Sequence, residues 1–229
     1  MILFESADVL TLDKPAGVSM ATSSKEGKSG EDAVRRLLLA CGVGPPEPLP
    51  LLVHRLDAGT SGVVLLAKSA AAHRRLSLAF QERRAQKTYR ALVWGHPVPA
   101  KGAIALALAR DPKDGRKMRV QEDGKPSVTQ YATLQRFSSL ADLELKPETG
   151  RTHQLRVHLS AKGHPIVGDD FYGGASRWHG VRDRALREAL ARVTHPMLHA
   201  QRVEIPEMGL DVEAHLPEDY EGMLALLRR

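Results

Sequence analysis

The chain has 229 residues, of which 42% are hydrophobic and only 4% aromatic, so it can bury a sizeable core built mainly from aliphatic side chains. Lys and Arg total 33 against 27 Asp and Glu, and the resulting net charge of +6 favours a polyanionic partner. The single cysteine, Cys41, excludes an internal disulfide and fits the cytoplasm, and no apolar stretch is long and unbroken enough for a membrane helix.

Runs of β-branched and apolar residues between turn residues indicate strands, and apolar residues three or four positions apart indicate helices. In chain order these patterns predict a strand at 9–12 that ends at the turn 13–17, a helix that starts at Ser29 or Gly30 and stops at Gly42, strands at 51–53 and 62–67, a helix at 70–84, strands at 88–93, 104–109, 127–134, 140–145 and 200–205, and a helix at 217–229. Residues 151–162 have helical spacing, but Gly150 leaves a loop followed by a helix equally open.

Strands outnumber helices in this pattern and do not alternate with them regularly. An alternation of strands and helices is typical of a parallel α/β sheet, and its absence favours the α+β class. The sequence therefore predicts a mixed, largely antiparallel central sheet with flanking helices, formed by residues 1–229 as a single domain.

The densest group of polar residues lies at positions 53–62, between two apolar strands. A loop held by a rigid scaffold suits the presentation of reactive groups. The same residues also fit an ordinary turn, in which Asp57 accepts backbone N–H bonds and Gly59 takes a positive φ. Physical reasoning alone leaves the two interpretations equally open.

Residues 54–62, HRLDAGTSG, resemble the H-R-L-D-x-x-T-S-G signature of the RluA-type family of pseudouridine synthases. Further segments match the family's motifs in the same order: residues 13–17, 87–95, 124–126 with Tyr131, 149–159, 163–169 and 198–200. The resemblance covers nearly the whole chain. It implies a pseudouridine synthase catalytic domain without a separate amino-terminal RNA-binding module, and isomerisation of specific uridines in structured ribosomal or transfer RNA. Residues 94–97 are most similar to the branch that acts on both RNA classes.

Three residues match the family's catalytic positions. Asp57 matches the essential carboxylate, which acts either on the uracil ring or at the ribose. Because burial alone would neutralise such a carboxylate, a nearby guanidinium is needed, and Arg156 matches the arginine that pairs with the catalytic aspartate. Tyr89 matches the active-site tyrosine, which stacks on the target base and is a candidate for taking the C5 proton.

RNA contacts are implied for a second group of residues. Arg55 resembles the arginine that enters the RNA stack when the target nucleotide flips out, a step that breaks stacking at a cost of a few kcal/mol. The other expected contacts come from the two largest motifs: His54, Thr60, Arg151, His153, Gln154 and His158.

The ten histidines raise the possibility of a metal site. His195 and His199 are four apart and His153 and His158 five apart, but neither pair has the glutamate of an H-E-x-x-H site. The sequence therefore predicts no metal and no other cofactor. A non-catalytic RNA-binding module and a metal-dependent hydrolase are the alternatives, and neither explains the ordered motifs. The expected partner is RNA, bound by a monomer in the cytoplasm.

Overall fold

The computed structural model describes residues 1–21 and 30–229. Its strands and helices, in chain order, are β1 (Ile2–Glu5), β2 (Val9–Lys14), α1 (Gly30–Ala40), β3 (Leu51–Leu52), β4 (Ser61–Ala67), α2 (Ala70–Gln81), β5 (Gln86–Trp94), β6 (Lys101–Ala105), β7 (Leu108–Arg110), β8 (Met118–Val120), β9 (Val128–Arg136), β10 (Leu140–Pro147), α3 (Gln154–Ala161), α4 (Arg184–Ala191), β11 (Leu198–Ile205), β12 (Leu210–Glu213) and α5 (Glu218–Leu227). The contacts divide the chain into two compact units. The first comprises Met1–Lys87 and Ala200–His215, and the second Thr88–His199 and Leu216–Arg229.

The first unit is built on strands in the order β1-β2-β4-β11, with β3 also paired to β4 and β12 to β11. The pairs β1–β2, β2–β4, β3–β4 and β11–β12 are antiparallel. Every residue of β4 is buried, as an uninterrupted apolar run predicts. Val63 and Leu65 of this strand share a core with Leu76 and Ala79, which lie on the apolar face of α2.

The second unit is built on strands in the order β5-β10-β9-β6, all paired antiparallel, and on the separate hairpin β7–β8. Its core joins apolar side chains of β5 and β10 to those of α3, α4 and α5. A buried polar group sits beside this core, where the Tyr220 hydroxyl donates to Asp142 at 2.9 Å and Arg90 forms an ion pair with the same carboxylate. These contacts tie α5 to the sheet.

The predicted α+β class is confirmed, and most strands lie where the apolar runs indicated. The helix predicted at 70–84 ends earlier, at Gln81, because Arg83 adopts a left-handed conformation with φ of 62°. The single strand predicted at 104–109 is wrong, since the chain breaks between β6 and β7. Residues 151–162 form a loop followed by α3, which resolves the open alternative. Ser29 lies outside the described residues, and a single catalytic domain stays a prediction.

Strands β1, β8 and β12 and helix α4 were not predicted, because each is short and neither β1 nor β8 has a buried residue. Within residues 1–21 and 30–229, no helix is long and apolar enough to cross a bilayer.

Gly62 of β4 packs directly against the backbone of β11. It has a φ of +113°, and a Cβ added here would lie 2.2 Å from the Ala200 carbonyl oxygen. We expect Gly62→Ala to lower the free energy of unfolding by about 3 kcal/mol, because it combines backbone strain with a clash against main chain. Urea unfolding of the purified protein measures the change.

Gly222, inside α5, provides the matched control. A Cβ there meets nothing within 4 Å, so Gly222→Ala should raise the free energy of unfolding by about 0.5–1 kcal/mol through helix propensity. Equal stability of the Gly62→Ala variant and the wild type would contradict the close approach of the two strands.

Candidate active site

Asp57 lies in the loop between β3 and β4, which we call the Asp57 loop (residues 53–60). The side chain of Asp57 is half-buried, and its backbone carbonyl accepts the Thr60 N–H at 3.0 Å, which closes a turn. The next carbonyl, that of Ala58, accepts both the Gly17 N–H at 2.8 Å and the Lys14 ammonium at 3.0 Å. The turn after β2 therefore anchors the loop on the residue next to Asp57.

Lys14 is a fully buried cation beneath this loop. Its ammonium also donates to the Pro15 carbonyl at 3.0 Å. Burial lowers the pKa of Lys14 to about 8, although the charges of Cys41 and Asp57 oppose the lowering. Burial of a charged side chain costs free energy unless polar protein groups replace the water around it. The two carbonyl groups that accept from Lys14 do so, and they indicate that Lys14 holds the loop in place.

His54 occupies the start of the HRLD motif and turns inward. Its Nε2 accepts the Leu65 N–H at 3.0 Å, and its ring stacks on Phe80 with 4.6 Å between centroids. Burial, aided by the positive charge of Lys87, lowers the pKa of His54 to about 3, so the imidazole is neutral and can serve as this acceptor. These contacts give His54 a structural role in the loop, while its predicted RNA contact stays a prediction.

The remaining members of the motif differ sharply in exposure. Arg55 is exposed, as a side chain that reaches into RNA must be, whereas Leu56 and Thr60 are buried. The turn interpretation placed a positive φ at Gly59, but the glycine of this motif that adopts it is Gly62. The Asp57 loop therefore carries a half-buried carboxylate and an exposed guanidinium, and hydrogen bonds to the turn after β2 hold its backbone in place.

In the second unit, the start of α3 is fastened by Gln154. Its Oε1 accepts the Thr149 hydroxyl at 2.7 Å and the Arg151 N–H at 3.1 Å, and its Nε2 donates to the Val128 carbonyl at 2.9 Å. One turn later, the two ring nitrogens of His158 lie 3.0 and 3.1 Å from protein oxygens, and burial lowers its pKa. Both side chains are buried, so the structure gives them roles in positioning the helix.

Arg156 is buried on α3 rather than on a solvated helix face. Its Nε and Nη2 donate to the two carboxylate oxygens of Asp169, both at 2.8 Å, and Asp169 is fully buried. The sequence interpretation paired Arg156 with Asp57 and assigned no role to Asp169. The motif at 163–169 was the available signal, since it ends in an acidic residue directly after an apolar run. The pairing of Arg156 with Asp57 stays a prediction.

Aromatic rings surround this ion pair. The guanidinium of Arg156 lies 5.5 Å from the ring centre of Phe171 and 5.1 Å from that of Tyr172. The Tyr172 hydroxyl lies 2.7 Å from Nδ1 of His153, which immediately precedes α3 and has a left-handed conformation with φ of 53°. Sequence reasoning did not identify Phe171 or Tyr172, because they lie between the motifs at 163–169 and 198–200.

The hairpin β7–β8 adds positive charge to the same group of rings. Lys117 lies 5.3 Å and Arg116 5.7 Å from the Phe171 ring centre, and the Met118 N–H donates to the Tyr172 hydroxyl at 2.9 Å. Arg151 lies two residues before His153 in the sequence. Its Nε is buried and has no hydrogen-bond partner within residues 1–21 and 30–229. A buried donor without a partner costs free energy, which is recovered when a ligand supplies the acceptor.

Tyr89 lies on β5 opposite Leu145 of β10, half-buried against the second unit's core. This position is compatible with a structural ring as well as with the predicted stacking on a base, so the catalytic role of Tyr89 stays a prediction. Within the described parts of the chain, no three His, Cys, Asp or Glu side chains come together as metal ligands.

Known pseudouridine synthases are similar to this chain in sequence and in structure. The profile of the family described as RNA pseudouridylate synthase matches residues 8–161. The chain is 35% identical over 232 residues to the ribosomal large subunit pseudouridine synthase D of Pseudomonas aeruginosa, covering 100% of this chain and 72% of the relative. It is 36% identical over 224 residues to the dual-specificity RNA pseudouridine synthase RluA of Escherichia coli strain K12, covering 96% of this chain and 94% of the relative.

Two solved human structures are also similar. RNA pseudouridylate synthase domain containing 1 has a TM-score of 0.71 and 32% identity, with 95% of this chain and 82% of the other chain covered. RNA pseudouridylate synthase domain containing 4 has a TM-score of 0.76 and 27% identity, with 99% and 92% covered. The similarity in sequence and in structure therefore extends over nearly the whole chain.

Proposed function

Because this chain belongs to the RluA-type family of RNA pseudouridine synthases and is therefore an isomerase, we propose that it converts specific uridines of ribosomal and transfer RNA to pseudouridine, with Asp57 as the catalytic carboxylate. The observation that carries the assignment is the Asp57 loop, in which the residue after Asp57 is held by a buried lysine and a backbone N–H. Such anchoring fixes a reactive carboxylate within the narrow range of positions that catalysis requires.

The reaction exchanges one bond of the uracil ring for another. The bond from C1′ of the ribose to N1 breaks, the released uracil turns, and a bond forms from C1′ to C5. The C5 proton leaves and N1 gains a proton, so atoms and electrons balance without an oxidant or reductant. Asp57 acts either by attack on the uracil ring or at the ribose. We assign Tyr89 as the group that takes the C5 proton.

The target base must leave the RNA stack before this chemistry can occur. We assign Arg55 to the gap that the flipped nucleotide leaves, since its side chain is exposed and a guanidinium both stacks on bases and donates to their edges. We assign Arg151, whose buried Nε has no hydrogen-bond partner among the residues that the structure describes, to the RNA backbone, together with Arg116 and Lys117 beside Phe171. The further RNA contacts that we propose are His54, Thr60, His153, Gln154 and His158.

The relatives narrow the substrate class. One relative is named as a ribosomal large subunit enzyme and another as a dual-specificity RNA enzyme. Residues 94–97 resemble the branch that acts on both RNA classes, so both ribosomal and transfer RNA are proposed as substrates. We also propose that the protein acts as a monomer in the cytoplasm, and the single cysteine fits the reducing conditions of that compartment.

Unmodified transcripts of ribosomal and transfer RNA, incubated with the purified enzyme, test the function. Pseudouridine should appear at defined sites in both, and the rate should stay the same after dialysis against a chelator, because the isomerisation needs neither a redox group nor a metal-bound water. Pseudouridine in neither transcript would contradict the proposal. Loss of activity that an added divalent ion restores, with the RNA still folded, would contradict the cofactor-free mechanism alone.

Arg55→Ala should slow single-turnover conversion about tenfold or more on a stem-loop RNA, because the broken stack is left unfilled. A short unstructured strand with the same target sequence has less stacking to break, so the loss on it should be smaller. Arg74→Ala, which removes an exposed arginine from α2, is the matched control and should behave as the wild type. Equal losses on folded and unfolded RNA would remove the proposed role of Arg55.

A further inference from the structure

A second cationic surface lies in the second unit, at residues 177–192, which we call the basic segment. It contains a single turn of 3-10 helix, Arg177–Gly180, followed by α4, and it carries five arginines against one aspartate and one glutamate. None of these residues has a role in the reaction described above.

Both carboxylates of the basic segment are already engaged. Asp183 caps α4 by accepting the Leu186 N–H at 2.7 Å, and Glu188 accepts the Nε of Arg184 at 2.8 Å. Arg182 and Arg192 are exposed and have no ion pair in the part of the chain that the structure describes. The segment therefore presents uncompensated guanidinium groups to solvent.

Two stacked rings lie in the 3-10 turn, which contacts α4. Trp178 and His179 have ring centres 3.8 Å apart and planes inclined by 19°. Trp178 packs against the core of the second unit, so the inner ring is anchored. His179 is exposed, and its Nδ1 lies 2.7 Å from the Ser176 carbonyl oxygen, which orients the outer ring. Trp178 covers one face of the His179 ring, and the exposure of His179 leaves the other face open.

We propose that Trp178 and His179 form a stacking platform for an unpaired nucleobase of the substrate RNA, with Arg182 and Arg192 contacting the neighbouring phosphates. The inference rests on the proposed function only in taking RNA as the substrate. An oriented ring next to unpaired guanidinium groups is the combination by which proteins bind single-stranded nucleic acid without reading its sequence. The base bound here is distinct from the flipped uridine.

Binding to an anionic membrane is less compatible with the geometry. An interfacial helix must insert an apolar face between lipids, but the large apolar residues of α4, Leu186 and Leu190, are buried in the protein core. Within the basic segment, the exposed ring is that of His179, which is polar. An unpaired nucleobase can stack on the ring of His179, and its neighbouring phosphates can bind Arg182 and Arg192.

Photo-crosslinking locates the contact directly. Trypsin cleaves after Arg177 and Arg182, so the platform lies on the single peptide Trp178–Arg182. A ribosomal RNA transcript with 4-thiouridine in place of uridine, irradiated with the wild-type enzyme, should crosslink to this peptide. Absence of the peptide among the crosslinked products would overturn the proposal.

Binding measurements separate stacking from charge attraction. Dodecamers of uridylate and of the same backbone without bases are titrated against the wild type and the Trp178→Leu/His179→Ser double variant, with folding checked by circular dichroism. Loss of the platform should weaken uridylate binding about tenfold and leave the abasic strand unaffected. His179→Phe should retain wild-type affinity, and His215→Ala, which changes an exposed histidine of the first unit, is the control.

Should the double variant fail to fold, His179→Gln replaces it, because it removes the outer ring, adds no charge and leaves Trp178 in place. Equal effects on both dodecamers, or vesicles of anionic lipid that bind the segment and resist competition by uridylate, would overturn the platform. A crosslink without pseudouridine formation would refute the proposed function alone, and pseudouridine formation without the crosslink would refute the platform alone.

Discussion

Replacing Asp57 by Asn is expected to reduce pseudouridine formation at least about a thousandfold, the scale seen when a reactive group of a catalytic unit is removed. The amide is nearly the same size as the carboxylate, so the turn at Thr60 and the two bonds to the Ala58 carbonyl should persist. An amide is a poor nucleophile and a poor base, and neither attack on uracil nor chemistry at the ribose can proceed through it. Single-turnover assays at saturating RNA measure the effect.

Affinity and stability provide the controls for this prediction. The dissociation constant for RNA and the midpoint of urea unfolding should both stay close to their wild-type values. Asp8→Asn, which neutralises an exposed aspartate paired with Arg75, should keep full activity. An Asp57→Asn enzyme that retains more than about a tenth of the wild-type rate would show that another residue supplies the catalytic carboxylate.

Arg156→Met is expected to lower the free energy of unfolding by about 3–5 kcal/mol, because it leaves the buried Asp169 carboxylate without its guanidinium partner. The carboxylate still accepts the N–H groups of Phe171 and Tyr172, at 3.1 and 3.2 Å, but these do not neutralise its charge. Adding Asp169→Asn removes the charge and keeps an acceptor for both N–H groups. The double variant should therefore be more stable than Arg156→Met alone.

Arg184 offers a matched control for the buried pair. It forms an exposed pair with Glu188 one helical turn away, and Arg184→Met should change stability by less than about 0.5 kcal/mol. Chemical denaturation of all four proteins under one set of conditions compares them. A double variant no more stable than Arg156→Met would show that the loss comes from packing against Phe171 and Tyr172 rather than from the unpaired charge.

The same variant tests the catalytic role that the sequence assigned to Arg156. If Arg156 also pairs with Asp57, Arg156→Met should slow conversion of RNA that is already bound, while Arg156→Lys should restore part of the rate by returning a positive charge. A defect confined to RNA affinity would make Arg156 a phosphate contact instead. Stability measured in parallel separates either effect from partial unfolding.

Sequence reasoning succeeded where the local pattern and the tertiary environment agree. The uninterrupted apolar run of β4 became a strand buried along its whole length. It failed where a single backbone conformation decides the outcome. Helix α2 ends because the backbone of Arg83 is left-handed, a conformation that an arginine side chain does not favour. The break between β6 and β7 lies within a run of apolar residues that has no turn residue to mark it.

The site shows the same division. The motif identified Asp57, but polar residues within a motif do not reveal whether they face solvent or the protein interior. His54, Gln154 and His158 are predicted RNA contacts, and each also forms side-chain hydrogen bonds within the protein that the motifs did not indicate. Asp169 illustrates the converse, because a buried ion pair between residues thirteen positions apart follows from tertiary packing rather than from spacing.

The order of segments in the first unit affects how the protein is made. A ribosome delivers residues 1–87 first, yet β11, a neighbour of β4, emerges only after residues 88–197. β3 pairs with β4 at Leu66 and Ala67, but until β11 is made the Gly62 end of that edge has no strand beside it. Open strand edges on nascent chains are prone to wrong pairing. The nascent chain must therefore keep an unfinished sheet edge from mispairing throughout the synthesis of nearly all of the second unit.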